Sequence, residues 1–175
     1  AYRNPDIRIV NLSLNTPLST EIEMLGIALQ ALEDAGIVVC MSAGNDGDET
    51  RKYAPTAYDY GIVVSAYDVR EEEGELVDKG FPGFSNFGKE VDIAAPGVNI
   101  YSTLPNESYK ELDGTSQAAP HVAGAVALLL AEKPNLSAIE VRDYIIVSGE
   151  NGYEGQNGDH PEPLLNINTL LSFEE

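Results

Sequence analysis

The sequence predicts an α/β protein with a mostly parallel sheet flanked by helices. Two observations carry this prediction. Between Ile7 and Ala43 a strand, a helix and a second strand follow one another, which is a βαβ unit. After Ser116 the chain is rich in Ala, Val and Leu through Leu130, apolar on almost every face, and this predicts a buried helix rather than a surface one.

The elements follow in order. Ile7 to Leu14 reads as a strand, stopped by Pro17 and Ser19-Thr20. Thr20 with Glu23 has the form of a capping box, and Ile22, Leu25, Leu29 and Leu32 recur at helical spacing. Gly36 ends that helix at C′. Ile37 to Ala43 is one continuous apolar run, expected of a parallel strand covered on both faces. Gly44-Asn45-Asp46-Gly47 is a turn at its carboxyl end, the side on which open α/β sheets bind ligands. Gly61 to Tyr67 is another apolar strand, and Glu71 to Gly83 reads as a charged, solvated loop. Val91 to Ala95 is a short strand stopped by Pro96-Gly97. Ile100 to Leu104 and Ser108 to Leu112 form a hairpin around Pro105-Asn106-Glu107.

Asp113-Gly114 is a turn, and Ser116 stands where the turn ends. Pro120 then falls where a missing N–H costs nothing, and Gly124 marks close packing against a neighbour. Lys133-Pro134 stops the helix. Ser137 and Glu140 make a second capping box, opening a helix with Val141, Tyr144 and Ile145 on one face. A polar, Gly-rich loop runs from Gly149 to His160, and Leu164 to Leu171 is a last apolar segment.

Length, 175 residues, suggests one domain. The 29 acidic residues against 10 basic ones give a formal charge of −19, which repels a phosphate backbone and argues against a nucleic-acid partner. No apolar run is long enough to span a bilayer, so no membrane partner is expected. The single Cys40 cannot form an internal disulfide and reads as a buried core thiol. A chain beginning at Ala1 reads as a processed or truncated piece.

Ser116 sits at the positive end of a buried helix dipole, which favours developing negative charge. Taken alone, a serine there is a helix N-cap. The whole stretch Gly114-Thr115-Ser116-Gln117-Ala118-Ala119-Pro120-His121-Val122-Ala123-Gly124 resembles the nucleophile segment of the subtilisin-like serine proteases, the subtilases. Three further segments match in the family's order: Val10 to Leu14, Ser42 to Gly47, and Phe84 to Gly88 through Asp92 to Thr103. The resemblance implies a three-layer subtilisin-like fold, of which residues 1–175 are the C-terminal part of one catalytic domain. It implies a serine endopeptidase with Ser116 as nucleophile and Asn45 as side-chain donor in the oxyanion hole. Taken alone, Asn45 is an ordinary turn residue.

By the same resemblance Ser13, Leu14 and Asn15 bind a polypeptide substrate as an added strand, with Asn15 where the family usually has Gly. Ser42, Ala43, Gly44 and Thr115 line the site, and Asp46 near the pocket floor directs a basic side chain there, an exposed turn Asp being the alternative. Gln117 stands where the family often has an oxidisable Met. No cofactor is required for the chemistry. Glu90 and Asp92 match a weak cation site of some relatives, such as a structural calcium site; the alternative is a pair of solvated surface acids, and no metal ligand is assigned.

The family's catalytic Asp and His motifs both precede the substrate strand, and neither His121 nor His160 fits that His. The expected partner is therefore the N-terminal portion of the same protease, which also completes the sheet; without it an exposed sheet edge invites association. The competing readings are a pseudoprotease or peptide-binding module and an inactive fragment. The family points to a secreted protein, with an acidic intracellular subtilase as the alternative.

Overall fold

In a computed structural model, residues 6–19 and 23–172 are described. Strands β1 (Ile9–Leu12), β3 (Val38–Ser42), β5 (Ile62–Glu72) and β7 (Ile93–Pro96) form one parallel sheet in that order. Ile9 lies opposite Val38, Cys40 opposite Ile62, and Val64 opposite Ile93. Side chains on β3 alternate with the pleat. Val38 and Cys40 join the core under helix α2 (Thr115–Glu132), while Val39 and Met41 face α1 (Glu23–Asp34). Helices therefore cover both faces, and every residue of β3 is buried, as its unbroken apolar run predicts.

Helix α1 ends at Gly36 as expected, with Gly36 N–H donating to Glu33 O at 2.8 Å and Ile37 N–H to Leu32 O at 2.9 Å. Thr20 and Ile22, part of its predicted start, lie outside the described residues. Helix α3 (Ala138–Val147) opens on the predicted capping box: Ser137 Oγ accepts from Glu140 N–H, and Glu140 Oε2 accepts from Ser137 N–H at 2.8 Å. Val141 and Ile145 are buried beneath it. Helix α4 (Ile167–Ser172) buries Leu170 in the same core. Strands β8 (Ile100–Leu104) and β9 (Ser108–Leu112) form the predicted hairpin.

Several expectations are corrected. The charged stretch Glu71 to Gly83, expected as a loop, is a β-ribbon as far as Gly80. The long strand β5 turns at Glu73-Gly74 and pairs antiparallel with β6 (Glu75–Gly80). Both turn residues have positive φ, 54° and 87°, the geometry of a two-residue hairpin turn. This ribbon stands in solvent, so its side chains carry no apolar alternation to read; a Lys79–Glu72 ion pair at 2.8 Å spans its strands.

Helix α2 is not covered all round, for Pro120, Gly124, Ala127, Leu128 and Ala131 are exposed. A Cβ added at Gly124 would meet nothing within 4 Å, so no described residue packs closely there. Pro120 is the sixth residue of α2, not part of its first turn. Its missing N–H removes the helical bond to Ser116 O, and that carbonyl is satisfied from outside the helix, as described below.

Asp92 is not a solvated surface acid. It is buried, its Oδ2 accepts from Val63 N–H at 2.8 Å, and its Oδ1 accepts from Arg142 Nε at 3.0 Å and lies 2.8 Å from Arg142 NH2. Burial pushes the Asp92 carboxyl above its ordinary value, against the pull of Arg142 and the Val63 N–H. Glu90 accepts instead from Thr50 Oγ1 at 3.2 Å. Among the described residues no three His, Cys, Asp or Glu side chains cluster to hold a metal ion.

Two predictions follow from this packing. Arg142→Ala leaves Asp92 buried without its cation and should cost about 3 kcal/mol at neutral pH, read by thermal unfolding. A carboxyl whose folded pKa lies above its unfolded value stabilises the fold when protonated, and that contribution is lost as pH rises through the folded value. The gap between wild type and Arg142→Ala should thus narrow in mild acid; a pH-independent gap would contradict this. The Cys40 thiol, fully buried and pushed up to about 12, should resist alkylation at mildly alkaline pH until the protein is unfolded. Labelling of the folded protein at the rate of a free thiol would refute it.

Candidate active site

The carboxyl ends of β1 and β3 and the start of α2 meet on one side of the sheet. Ser13, Leu14 and Asn15 leave β1; Gly44 to Gly47 leave β3; Thr115 and Ser116 open α2 behind Gly114. The sequence reading brings Ser13, Leu14, Asn15, Ser42, Gly44, Asn45, Asp46 and Ser116 to one place, and these residues line a single cleft of about 380 Å³ together with Thr16, Pro17 and Tyr53. A larger depression of about 490 Å³, around Phe81 and His160, holds none of the expected site residues.

Thr115 does not face the cleft, because it is fully buried. It acts as a joint. Its N–H and its Oγ both donate to Asn45 Oδ1, at 2.9 and 3.0 Å, while its Oγ accepts from Gly44 N–H at 3.1 Å. With Asn45 Oδ1 held in this way, the amide Nδ2 has no hydrogen-bond partner among the described residues. A cap-type serine would have bonded a helix N–H, but here Gly114 caps the helix and Ser116 lies inside its first turn. The Ser116 Oγ lies 3.5 Å from Ser13 O.

The vacancy made by Pro120 is used here. Ser13 Oγ donates to Ser116 O at 2.9 Å, replacing the helical bond that Pro120 cannot give. A second unforeseen support is Asn86, which is fully buried. Its Oδ1 accepts from Asp46 N–H at 2.9 Å and Asp48 N–H at 3.1 Å, and its Nδ2 donates to Ala43 O at 3.1 Å. Asn15 Nδ2 also donates to Ala43 O, at 3.2 Å, while Ala43 itself is buried beneath the rim. Gly44 must be glycine: at φ 109° a Cβ would come within 2.3 Å of Asn86 Nδ2.

Both histidines are occupied elsewhere. His121 Nδ1 contacts Gln117 O at 2.8 Å on the outer face of α2. His160 stacks on Phe81 at 3.6 Å between ring centroids, and its Nδ1 meets the buried Glu162 Oε1 at 3.0 Å, which also accepts from Ser65 Oγ at 2.6 Å. Neither ring has a hydrogen bond to Ser116.

The family model described as "Subtilase family" matches residues 1–161. The chain belongs to the subtilase family. It is 39% identical over 163 residues to Subtilisin DY of Bacillus licheniformis, covering 91% of this chain and 55% of that one. It is 41% identical over 128 residues to the Major intracellular serine protease of Bacillus subtilis, covering 70% of this chain and 37% of that one. A cold adapted subtilisin-like serine proteinase superimposes with a TM-score of 0.77 at 29% identity, covering 91% of this chain and 54% of that one. The chain thus spans about half the length of the relatives it matches. The three-layer α/β fold expected of a subtilase is the fold observed.

Within this subtilase chain the joint made by Thr115 is one role the sequence did not reveal. In the full-length protein Thr115→Val should lower kcat about tenfold, the worth of one or two hydrogen bonds that hold Asn45, with KM little changed. Thr115→Ser should restore it. A loss in Thr115→Ser with Thr115→Val unaffected would mean that the methyl group, not the hydroxyl, matters.

Proposed function

We propose that this chain carries the nucleophile and oxyanion half of a serine endopeptidase. One observation carries the reading: Thr115 fixes Asn45 by its oxygen, and so leaves its amide N–H groups uncommitted in the cleft that Ser116 lines. In this reading Ser116 Oγ attacks the carbonyl carbon of a bound polypeptide and loses its proton to a histidine base. The oxyanion accepts from Asn45 Nδ2 and the Ser116 N–H at the positive end of α2. The base returns the proton to the leaving amine, and water then releases the acyl group. Segment Ser13 to Asn15 holds the substrate backbone as an added strand.

The histidine and its orienting aspartate come from polypeptide outside the described residues, the N-terminal portion of the protease, on this same chain or a second one. Two surfaces support that partner. One face of α2 exposes Pro120, Gly124, Ala127 and Leu128, with Leu128 47% exposed. Beside it β1 is an edge strand of the sheet, open to pairing. No cofactor takes part in these steps, and among the described residues no helix is long and apolar enough to cross a membrane. A secreted setting is carried over from the family; one relative is named an intracellular protease.

The occupied histidines favour a second reading, a peptide-binding module that keeps the groove without the chemistry. A fluorophosphonate probe separates the two, because it phosphonylates a serine only when a base activates it. On the full-length protein the expected result is label on Ser116, absent from Ser116→Ala and reduced in Asn45→Ala, whose turnover should fall by ~10²–10³. A folded protein with no label would overturn the endopeptidase reading in favour of a pseudoprotease or an inactive fragment.

A further inference from the structure

We propose that His160, outside the cleft, is a positioning residue for Asn45. Its ring braces the segment that holds the Asn45 turn, and the buried Glu162 holds the ring. The proposal rests on the endopeptidase reading and adds a residue that the reaction depends on without its touching the substrate.

The turn has two supports. Asn45 itself is bound by Thr115. Its neighbours on both sides are bound by one other segment, residues 84–87. Gly44 O accepts from Asn86 N–H at 3.0 Å, Gly47 N–H donates to Phe84 O at 2.8 Å, and Asp48 O accepts from Phe87 N–H at 3.1 Å. Asn86 Oδ1 accepts from the Asp46 and Asp48 N–H groups as well. The same segment reaches the far wall of the cleft. Thr50 N–H donates to Phe87 O at 2.9 Å, just before β4 (Tyr53–Ala54), which pairs antiparallel with β2 (Thr16–Pro17). Where residues 84–87 lie therefore decides where the Asn45 amide lies.

His160 meets that segment on both flanks. Its ring stacks on Phe81, with 3.6 Å between centroids and 9° between planes, and meets Phe87 edge to face at 5.9 Å. The backbone repeats the link, for Asp159 O accepts from Gly88 N–H at 3.2 Å. Gly47, Phe81, Phe87 and His160 line the same depression of about 490 Å³, so the ring faces the back of the turn. In the middle of the segment Ser85 Oγ accepts from Ala66 N–H at 3.0 Å and ties it to β5. The two flanks rely on the side that carries His160.

The ring is itself held. Asn157 Oδ1 accepts from His160 N–H at 3.2 Å, and Asn157 N–H donates to His160 O at 3.0 Å. On the side chain, Nδ1 donates to Glu162 Oε1 at 3.0 Å. Glu162 is buried, and the same oxygen accepts from Ser65 Oγ on β5 at 2.6 Å. Glu162 Oε2 has no partner among the described residues. Ser65 and His160 thus supply all the hydrogen bonds of this buried carboxyl group, and a ring that swung away would leave it with one donor. His160 is in this way fastened through Glu162 to the centre of the sheet. An oxyanion donor matters most in the transition state, so a loosened turn lowers kcat and spares KM.

The test uses the full-length protein. Hydrogen exchange resolved by residue comes first and needs no catalytic base. In His160→Ala the amides of Asp46, Gly47 and Asp48 should exchange about fivefold faster, the worth of one stacked ring pair, with those of β3 unchanged. Phe81→Leu leaves the His160–Glu162 contact in place and should show the same change; it carries the test if His160→Ala does not fold.

In the second arm Ac-Ala-Ala-Pro-Phe p-nitroanilide is hydrolysed. In either variant kcat should fall about fivefold with KM little changed. Made in Asn45→Ala, the same substitution should cost less than about twofold, because the donor it positions is gone. An undiminished loss there, a loss carried by KM, or unchanged exchange in the turn would each overturn the proposal. Faster exchange in the turn with no turnover by any variant, wild type included, would sink the endopeptidase reading and leave the brace standing.

Discussion

The buried hydroxyl of Thr115 ties the start of the central helix to the loop that leaves the central strand, and the rest of the site depends on that tie. It accepts from Gly44 N–H and donates to Asn45 Oδ1, so one side chain sets the conformation of a turn 70 positions away in sequence. The tie holds only because α2 is wedged under the parallel sheet, with Ala118, Ala119 and Val122 packed on the side chains of β3, β5 and β7. Small residues at the start of the helix let it approach the sheet closely, and closeness is what brings a helix N-terminus within hydrogen-bond reach of a strand end. Asn86 repeats the device from the other side, feeding one side-chain oxygen to two N–H groups of the same turn. The turn is thereby held at both ends by buried amide and hydroxyl groups, a rigid frame for a donor that must meet charge without moving.

Pro120 shows how a local defect becomes a long-range contact. Inside a helix a proline leaves one carbonyl unpaired, and an unpaired buried carbonyl is costly. Here the carbonyl belongs to Ser116, and the hydroxyl of Ser13 fills the gap. The defect therefore draws the segment after β1 onto the helix and fixes the separation between the two strips that flank the cleft. A straight, fully bonded helix would have offered Ser13 nothing to bind.

The elements that repeat a simple pattern were legible from sequence. The run from Ile37, the helical spacing of Leu25, Leu29 and Leu32, and the capping box at Ser137 each encode their structure within a few residues, and the structure has all three. The β5–β6 ribbon was not legible, because a strand wet on both faces has no alternation and its charged residues read as loop. The positions of Ser13, Asn45 and Ser116 around one cleft followed from a resemblance, not from periodicity. Thr115 and Asn86 were missed for a common reason. Their roles consist of contacts made 38 to 71 positions away, and no local pattern announces those.

The distribution of charge ties these features to one another. With three acids for nearly every base, cations are scarce, and the structure assigns them to particular tasks. Arg142 neutralises the buried Asp92 behind the sheet. Arg8 donates to the carbonyls of Gly36, Pro134 and Leu136 and so fastens the start of β1 to two helix ends. Lys52 and Arg51 are held by Asp48 and Glu49 in the turn beyond the cleft. A residue left without a cation in such a chain is ordinary on the open surface, where water screens it. Asp46 is such a residue, exposed in the turn that leaves β3 at the edge of the cleft. The same shortage of bases that keeps this chain away from nucleic acid thus leaves a single negative charge facing whatever enters the groove.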